Sequence, residues 1–209
     1  MTKGRFITFE GGDGSGKTTQ LQLTVTWLKS QGKDVLQTFE PGDTPLGKEI
    51  RRLLLSGEYT PVPASELLLF LADRAQHVEQ VIKPALAAGK WVICDRYTDS
   101  TLAYQLAGRK LEATRILGDM LVWAEQGLTP NKTIWLDLPV EDAAKRMASR
   151  EAEGEVANRL DHEKMAFHKA VYQAFSGIQK NASQRVKRID ARRDIAQVQS
   201  DIQVVLKSL

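Results

Sequence analysis

The sequence has few of the features that mark secreted, membrane or nucleic-acid-binding proteins. Its one cysteine, Cys94, excludes an internal disulfide framework and a cysteine-based zinc cluster. No apolar run approaches the ~18–20 residues of a membrane span, and the start, MTKGRFITFEGG, has too few apolar residues for a signal peptide. The net charge of +3 is too small to indicate a nucleic-acid partner. We therefore expect a soluble cytoplasmic protein, whose 209 residues fit a single domain.

Short apolar runs alternate with longer helical patterns along the chain. Five of the runs are predicted to be strands, namely 6–9, 35–38, 91–94, 133–136 and 186–189. Several are apolar at consecutive positions, which is typical of strands covered on both faces. A long helix is predicted to begin after an N-cap at Ser65, bend near Pro84 and end at Gly89, and another helix is predicted to begin at Pro139. The alternation predicts an α/β fold, with a five-stranded parallel sheet flanked by helices.

The segment after the first strand has the pattern of a phosphate-binding loop, or P-loop. It reads Gly11-Gly12-Asp13-Gly14-Ser15-Gly16-Lys17-Thr18, and Thr19 follows. Small residues let successive backbone N–H groups point at phosphate oxygens, and the next helix adds the dipole of its N-terminus. Lys17 can reach the β- and γ-phosphates, and Thr18 can offer a hydroxyl group to Mg²⁺. These residues predict a nucleoside triphosphate site.

A P-loop does not by itself distinguish a switch, a motor and a kinase. A GTPase is disfavoured, because Asn131-Lys132-Thr133-Ile134 has isoleucine where the guanine motif N-K-x-D needs aspartate. Asp95 and Arg96 follow the third strand, where a carboxylate can orient Mg²⁺ and a guanidinium can face an acceptor phosphate. The alternative is an ion pair that only caps the end of the strand.

A second pair of residues suggests a place for a nucleobase. Phe70 and Arg74 lie four residues apart on one face of the long predicted helix. An aromatic ring can stack on a base, and a guanidinium can hydrogen-bond its carbonyl edge. The spacing alone favours another interpretation, in which Phe70 belongs to the leucine-rich core and Arg74 is solvated. Arg51 and Arg52, taken alone, would be surface charges.

Five motifs together resemble those of the bacterial thymidylate kinases. In order they are FEGGDGSGKTTQ, EPG with a later IR, LFLADR, DRYTDSTLAYQ and LDLPVEDAAKR, spread over residues 5–192. The P-loop alone is common to many proteins, whereas LFLADR combined with DRYTDSTLAYQ is far more specific. The resemblance implies the three-layer P-loop NTPase fold with a short lid that carries arginine. It also implies transfer of the γ-phosphoryl group of ATP to thymidine monophosphate (dTMP) for dTTP synthesis, with Mg²⁺ and in a homodimer.

The resemblance also implies roles for individual residues. Phe70 would stack on the thymine and Arg74 would bond its exocyclic oxygen, while Arg51 and Arg96 would clamp the acceptor phosphate. Asp13, inside the P-loop, would meet the 3′-hydroxyl group of the sugar. The rest of the acceptor pocket would consist of Glu40, Ser100, Thr101, Tyr104 and Gln105. The ring of the tyrosine would disfavour a ribose 2′-hydroxyl group.

A lid is predicted at about residues 150–160. The P-loop has no arginine between its glycines, and a transferring phosphoryl group needs nearby cations. Arg146, Arg150 and Arg159 flank the charged segment EAEGEVAN, which suits a flap that closes over ATP. The predicted catalytic residues are therefore Lys17, Asp95, Arg96, Arg150 and Arg159. The alternative for the lid is a solvated charged loop.

Two departures from the family pattern affect these expectations. Phe39 stands where the family usually has arginine, which puts one phosphate or interface contact in doubt and leaves Glu40 without an obvious local partner. Leu106 stands where the family commonly has glycine, so the loop after Gln105 would be less mobile or packed differently.

Two rival functions stay open on the sequence. A deoxynucleoside kinase would accept an uncharged hydroxyl group, but two guanidinium groups, those of Arg51 and Arg96, would then face an acceptor without a phosphate. A P-loop ATPase switch would need an activated water and no base pocket, so Phe70 and Arg74 would have no role.

Overall fold

Five parallel strands form one sheet in the computed structural model, which describes residues 4–154 and 158–209 and, at Arg150, only the backbone. The strands are β1 (Arg5–Glu10), β2 (Val35–Phe39), β3 (Trp91–Asp95), β4 (Lys132–Asp137) and β5 (Val186–Asp190). Their spatial order is β2-β3-β1-β4-β5. Each coincides with a predicted strand, so the predicted sheet is confirmed, with extensions of one or two residues.

Helices connect the strands. They are α1 (Lys17–Ser30), α2 (Pro45–Leu55), α3 (Pro63–His77), α4 (Lys83–Ala87), α5 (Thr98–Thr101), α6 (Arg115–Glu125), α7 (Val140–Ala152), α8 (Met165–Asn181) and α9 (Ile195–Leu206). Two π-helical segments, Val78–Ile82 and Leu102–Gly108, continue α3 and α5. Among the described residues, no helix has the length and apolar character needed to cross a membrane.

The strands bury side chains on both faces of the sheet, as their apolar sequences predict. On one face, Ile7 and Ile93 belong to a core with α1 and α9. On the other face, Phe6 and Val92 pack with the π-helical segment 78–82 and with α4. A layer of helices therefore covers each face of the sheet.

The long predicted helix differs from the prediction at its start. The prediction that Ser65 is its N-cap is wrong, because α3 begins at Pro63, whose fixed φ suits the first turn of a helix. The predicted bend near Pro84 corresponds to the π-helical segment that ends at Ile82, and Gly89 ends the helical region in a left-handed conformation (φ +81°). The helix after β4 begins at Val140, one residue after its predicted start at Pro139.

The register of the sheet brings three strand ends to one level. Phe9 of β1 and Phe39 of β2 both pair with Asp95 of β3. The three segments that follow these strands therefore meet at one end of the sheet, the end formed by the carboxyl ends of the strands. Open parallel sheets bind their ligands at this end. Those segments are the P-loop, Glu40-Pro41-Gly42 and the segment that begins at Arg96.

Candidate active site

A cavity of about 530 Å³ lies at the carboxyl ends of β1, β2 and β3. Its wall includes most of the predicted site residues: Asp13, Gly14, Gly16, Lys17, Thr18, Glu40, Arg51, Phe70, Arg74, Asp95, Arg96, Ser100, Thr101, Tyr104 and Gln105. The structure thus brings residues from the P-loop, α2, α3, β3 and the following turns around one space. The predicted residues outside the wall are Gly11, Gly12, Ser15, Thr19 and Arg159.

The P-loop wraps around the ammonium group of Lys17. The Lys17 Nζ atom donates to the carbonyl oxygens of Gly11 (3.1 Å) and Gly12 (3.0 Å), and burial and the nearby Arg96 lower the pKa of Lys17. Gly14 has a left-handed φ of +77°, and a Cβ there would lie 2.8 Å from the carbonyl oxygen of Ala143. Both the conformation and the close approach require glycine at this position.

An ion pair joins the P-loop to the end of β3. Arg96 Nη2 lies 2.6 Å from Asp13 Oδ1, and Arg96 Nη1 donates to the carbonyl oxygen of Gly11 (3.2 Å). The Tyr104 hydroxyl donates to Asp13 Oδ2 (3.2 Å), and its ring lies 4.9 Å from the Arg96 guanidinium. Burial alone would raise the pKa of Asp13, but Arg96 and Lys17 hold it well below its usual range. Asp13 therefore stays a carboxylate beside two cations.

Arg96 has a backbone conformation that needs support. Its φ of +67° lies in the left-handed region, which costs free energy in a non-glycine residue. Glu10, the last residue of β1, accepts hydrogen bonds from the backbone N–H groups of Tyr97 (2.8 Å) and Ser100 (3.3 Å) and from the Ser100 hydroxyl (2.6 Å). Burial and the nearby Asp99 raise the pKa of Glu10 to about 8. We infer that Glu10 fixes the turn that presents Arg96, a role the sequence analysis missed.

Arg74 is buried in the wall of the cavity and is not a solvated surface residue. Its side chain is 2% exposed, with Nε 2.9 Å and Nη2 2.8 Å from Glu40 Oε2, and Nη1 2.8 Å from the Thr101 hydroxyl. Phe70 lies one turn earlier on α3, lines the same cavity and packs partly against the core beside Tyr104. The interpretation of Arg74 as a solvated residue is therefore wrong, and that of Phe70 as core is correct only in part.

Glu40 obtains its partners from distant parts of the chain. Besides Arg74, its Oε1 lies 2.9 Å from His77 Nδ1, and His77 Nε2 lies 2.6 Å from the Thr38 hydroxyl. Because these partners are 34 and 37 residues away, the local sequence gives no sign of them. A carboxyl group buried to this extent needs such partners to offset the cost of its burial.

Phe39 and Leu106, the two departures from the family pattern, both pack against neighbours. The Arg51 guanidinium lies 5.6 Å from the centre of the Phe39 ring, and Arg51 Nη1 donates to the carbonyl oxygen of Pro41 (2.8 Å). The ring thus supports an arginine that faces the cavity. Leu106 lies in the π-helical segment 102–108 and packs against the apolar cluster of α3 and α6. The segment after Gln105 is therefore packed as part of a helix.

The lid region differs from expectation at one arginine. Arg159 Nη2 lies 2.5 Å from Glu66 Oε2, and its Nε donates to the carbonyl oxygen of Leu54 (2.9 Å), so the structure does not place its guanidinium at the P-loop. The reason is that Glu66, 0% exposed on α3, attracts it. Arg146 does reach the P-loop, because its Nη1 lies 3.5 Å from the carbonyl oxygen of Gly14. The side chain of Arg150 and residues 155–157 lie outside the described part.

Three residues at the end of the predicted lid and directly after it also line the cavity, and none of them was predicted from the sequence. They are Asn158, Leu160 and Asp161. Burial and the nearby Asp13 raise the pKa of Asp161. The sequence offered one signal for Asp161, namely an acidic residue two positions after Arg159, which was predicted to be a lid arginine.

The two predicted metal residues are suited to Mg²⁺. Asp95 and Thr18 both line the cavity, and the buried Oδ1 of Asp95 has no hydrogen-bond partner among the described residues. Mg²⁺ commonly takes one or two protein oxygens and fills its other positions with water and phosphate oxygens. The residues therefore fit a magnesium ion that arrives with a nucleotide.

Similar proteins were found at the levels of sequence and of structure. A family model described as thymidylate kinase matches residues 9–202. The chain is 42% identical to the thymidylate kinase of Alkalilimnicola ehrlichii, over 100% of this chain and 94% of that one. It is 49% identical to the thymidylate kinase of a Synechococcus species, over 92% and 89% of the two chains. The crystal structure of thymidylate kinase from Ehrlichia chaffeensis matches with a TM-score of 0.80 at 32% identity, over 99% and 100% of the chains.

The sheet, the P-loop after β1 and the cavity that extends from it to Phe70 and Arg74 define a P-loop nucleotide kinase. The matches then identify the family. The chain belongs to the thymidylate kinase family, and its activity is the ATP-dependent phosphorylation of dTMP to dTDP.

Asp73, next to Arg74 on α3, provides a test of the charges around Glu40. Its side chain is buried, Oδ1 accepts from the Gly42 N–H (3.1 Å), and burial and the nearby Glu40 raise its pKa to about 6. Because the folded pKa lies above the usual 3.8, stability is full below pH 3.8 and falls as the pH rises through 6. Asp73→Asn removes this loss. The free energy of unfolding of Asp73→Asn, relative to that of the unsubstituted chain, should therefore be about 2 kcal/mol higher at pH 7.5 than at pH 4.5.

Urea denaturation at the two pH values measures the difference. Asp119→Asn is the matched control, because the Asp119 side chain is 74% exposed. An equal effect of Asp73→Asn at both pH values would contradict a raised pKa of Asp73 in the folded protein.

Proposed function

We propose that the chain transfers the γ-phosphoryl group of ATP to dTMP inside the cavity at the ends of β1, β2 and β3, and that its 209 residues act as one cytoplasmic domain. The observation that carries the proposal is that a P-loop and a buried pocket with Phe70 and Arg74 share one cavity. Donor and acceptor phosphates would meet between them. Catalysis would then consist mainly of positioning and of neutralising charge.

On the acceptor side, the ring of Phe70 would stack on the thymine and Arg74 would bond its exocyclic oxygen. Arg74 is suited to this role because Glu40 and Thr101 fix its guanidinium. Ser100 and Gln105 would line the same pocket, together with the Tyr104 ring, which would leave little room for a ribose 2′-hydroxyl group. A buried and prearranged guanidinium costs little ordering entropy when the base binds.

The acceptor phosphate would lie between Arg51 and Arg96. Both line the cavity, and both are held, Arg51 by Phe39 and Pro41 and Arg96 by Asp13. Asp13 would also meet the 3′-hydroxyl group. Two fixed guanidinium groups favour an acceptor that carries a phosphate over one that ends in a hydroxyl group.

On the donor side, the P-loop residues from Gly11 to Thr19 would bind the triphosphate of ATP. Lys17 would approach the β- and γ-phosphates, while Thr18 and Asp95 would hold Mg²⁺. When bound, the ion would neutralise charge on the phosphate oxygens. Arg96 would help Lys17 to stabilise the charge during transfer.

An acceptor assay tests this function. ATP and Mg²⁺ are offered with thymidine, with dTMP or with no acceptor, and the nucleotide products are separated. We expect dTDP from dTMP and no phosphorylation of thymidine, because the two guanidinium groups need a phosphate. Phosphorylation of thymidine would favour a deoxynucleoside kinase, and ADP release that is indifferent to the acceptor would favour an ATPase switch.

The lid would supply the remaining positive charge. We propose that Arg150 approaches the transferring group. The sequence assigned the same role to Arg159, but its contact with Glu66 favours an anchoring role for that residue. Arg150→Ala should lower kcat about a hundredfold with little effect on ATP affinity, since the charge is needed mainly in the transition state.

The lid prediction is checked by steady-state kinetics and by ATP titration. Arg193→Ala, an exposed residue before α9, serves as the matched control and should keep its turnover. Near-full turnover of Arg150→Ala would contradict the role proposed for Arg150, and near-full turnover of both Arg150→Ala and Arg159→Ala would contradict an arginine-bearing lid.

A homodimer would explain the apolar surface of α6. Ile116, Val122 and Trp123 are 72%, 62% and 77% exposed, and α6 packs on α3, where Leu68 is 51% exposed. We propose that these residues meet a second copy of the chain, because exposed apolar side chains of this size on two packed helices favour an interface.

Trp123→Asp should convert a dimer to a monomer, because the substitution would bury a carboxylate without a partner. Sedimentation equilibrium gives the mass. The matched control is Val204→Asp on α9, which is 67% exposed and outside this surface. A monomeric unsubstituted chain, or a Trp123→Asp dimer, would contradict the proposed interface.

A further inference from the structure

Glu66 is a buried carboxylate that the proposed reaction does not use. Its side chain is 0% exposed on α3, one turn before Phe70. Four side chains surround it directly or through Arg109, and we call the five residues the Glu66 cluster: Glu66, Gln105, Arg109, Arg159 and Glu163. Burial of a carboxylate in the leucine-rich run SELLLFLADR costs free energy, which its contacts must offset.

Both oxygens of Glu66 are occupied. Oε1 accepts from Gln105 Nε2 (3.0 Å) and Arg109 Nε (3.1 Å), and Oε2 accepts from Arg109 Nη2 (3.0 Å) and Arg159 Nη2 (2.5 Å). Arg109 thus binds Glu66 in a bidentate arrangement, and its third nitrogen, Nη1, donates to Glu163 Oε1 (2.5 Å). The cluster contains two carboxylates and two guanidinium groups, so its charges balance.

The ionised form of Glu66 is the one that these contacts favour. Burial alone would raise the pKa of Glu66, but hydrogen bonds from Arg109, Gln105 and Arg159 hold it below its usual value. The charge on Glu66 is therefore present throughout the neutral pH range.

The cluster connects segments that each supply a wall of the cavity. Gln105 lines the cavity itself, and Glu66 lies one turn from Phe70, which also lines it. Arg159 stands between Asn158 and Leu160, which line the cavity on the lid side. The cluster also reaches α2, because Arg159 donates from Nε to the carbonyl oxygen of Leu54.

We propose that Glu66 is a positioning residue that holds Gln105 in the acceptor pocket and ties residues 158–163 to α3. Acceptor binding and the ordering of residues 158–163 are thereby coupled. The coupling follows from the geometry, because a single carboxylate fixes one residue of the acceptor pocket and one residue of the lid side. This inference rests on the proposed function, in which dTMP occupies that pocket.

The coupling also explains the placement of Arg159. Its guanidinium is used by Glu66 and by the backbone of α2, and moving it to the P-loop would break both contacts. Arg159 is therefore the anchor of the lid segment.

The test is Glu66→Gln, which keeps the shape of the side chain but removes the charge and turns an NH₂ group toward a guanidinium. We expect the KM for dTMP to rise about tenfold, the change that loss of one charged hydrogen bond gives, and the KM for ATP to change by less than about twofold. Glu79→Gln, with a side chain that is 65% exposed, is the matched control and should behave as the unsubstituted chain.

Hydrogen exchange of the amide groups of residues 158–164 gives a readout apart from activity. Addition of dTMP alone should slow exchange there in the unsubstituted chain and in Glu79→Gln, but not in Glu66→Gln. Arg159→Gln breaks the same contact from the lid side and should also abolish the slowing, which keeps the test valid if Glu66→Gln does not fold. A protein in which Glu66 only stabilises the fold would lose thermal stability in these variants and keep the response to dTMP.

The outcomes separate this inference from the proposed function. If the unsubstituted chain does not phosphorylate dTMP, the proposed function fails. If it does, but Glu66→Gln and Arg159→Gln keep the KM for dTMP and the slowed exchange, the coupling is overturned while the function stands. A lower kcat in Arg159→Gln, with unchanged KM and unchanged exchange, would indicate that Arg159 acts on the transferring phosphoryl group. That result would also overturn the inference.

Discussion

The ion pair between Asp13 and Arg96 is the interaction on which the rest of the site depends. The two residues follow neighbouring strands, and their 2.6 Å contact joins the triphosphate loop to the turn that faces the acceptor. Without it, Arg96 would hold a left-handed backbone beside a buried lysine with one carboxylate fewer to balance the charge. The pair therefore fixes the distance between the donor and acceptor ends of the cavity.

Buried carboxylates provide the second level of organisation. Glu10 supports the turn that contains Arg96, Glu40 holds Arg74, and Glu66 holds Gln105 and Arg159. In each case a buried acid positions a donor group that lies in the wall of the cavity or beside it. A carboxyl group in a low-dielectric interior is stable only with hydrogen-bond partners, so each acid restricts the conformation of its neighbours. The substrates then meet side chains that are already ordered.

The fold and the phosphate-binding half of the site could be predicted from the sequence, because both depend on local patterns. The apolar runs at 6–9 and 91–94 gave the strands, and the glycines around Lys17 gave the turn. The contacts of Glu40 and Glu66 could not be predicted, since their partners lie 34 to 93 residues away. For the same reason the sequence assigned a phosphate role to Arg159. Its charge was visible in the sequence, whereas the buried acid beside it depends on tertiary packing.

The central claim is that Asp13 and Arg96 act as one unit, and a double-mutant cycle tests it most directly. The value measured is kcat/KM for dTMP in Asp13→Asn, in Arg96→Lys and in the chain that carries both substitutions. Residues that act together lose their shared contribution once, so we predict that the double variant is about as impaired as the worse single variant. Losses that multiply would show two independent contributions and would contradict the account.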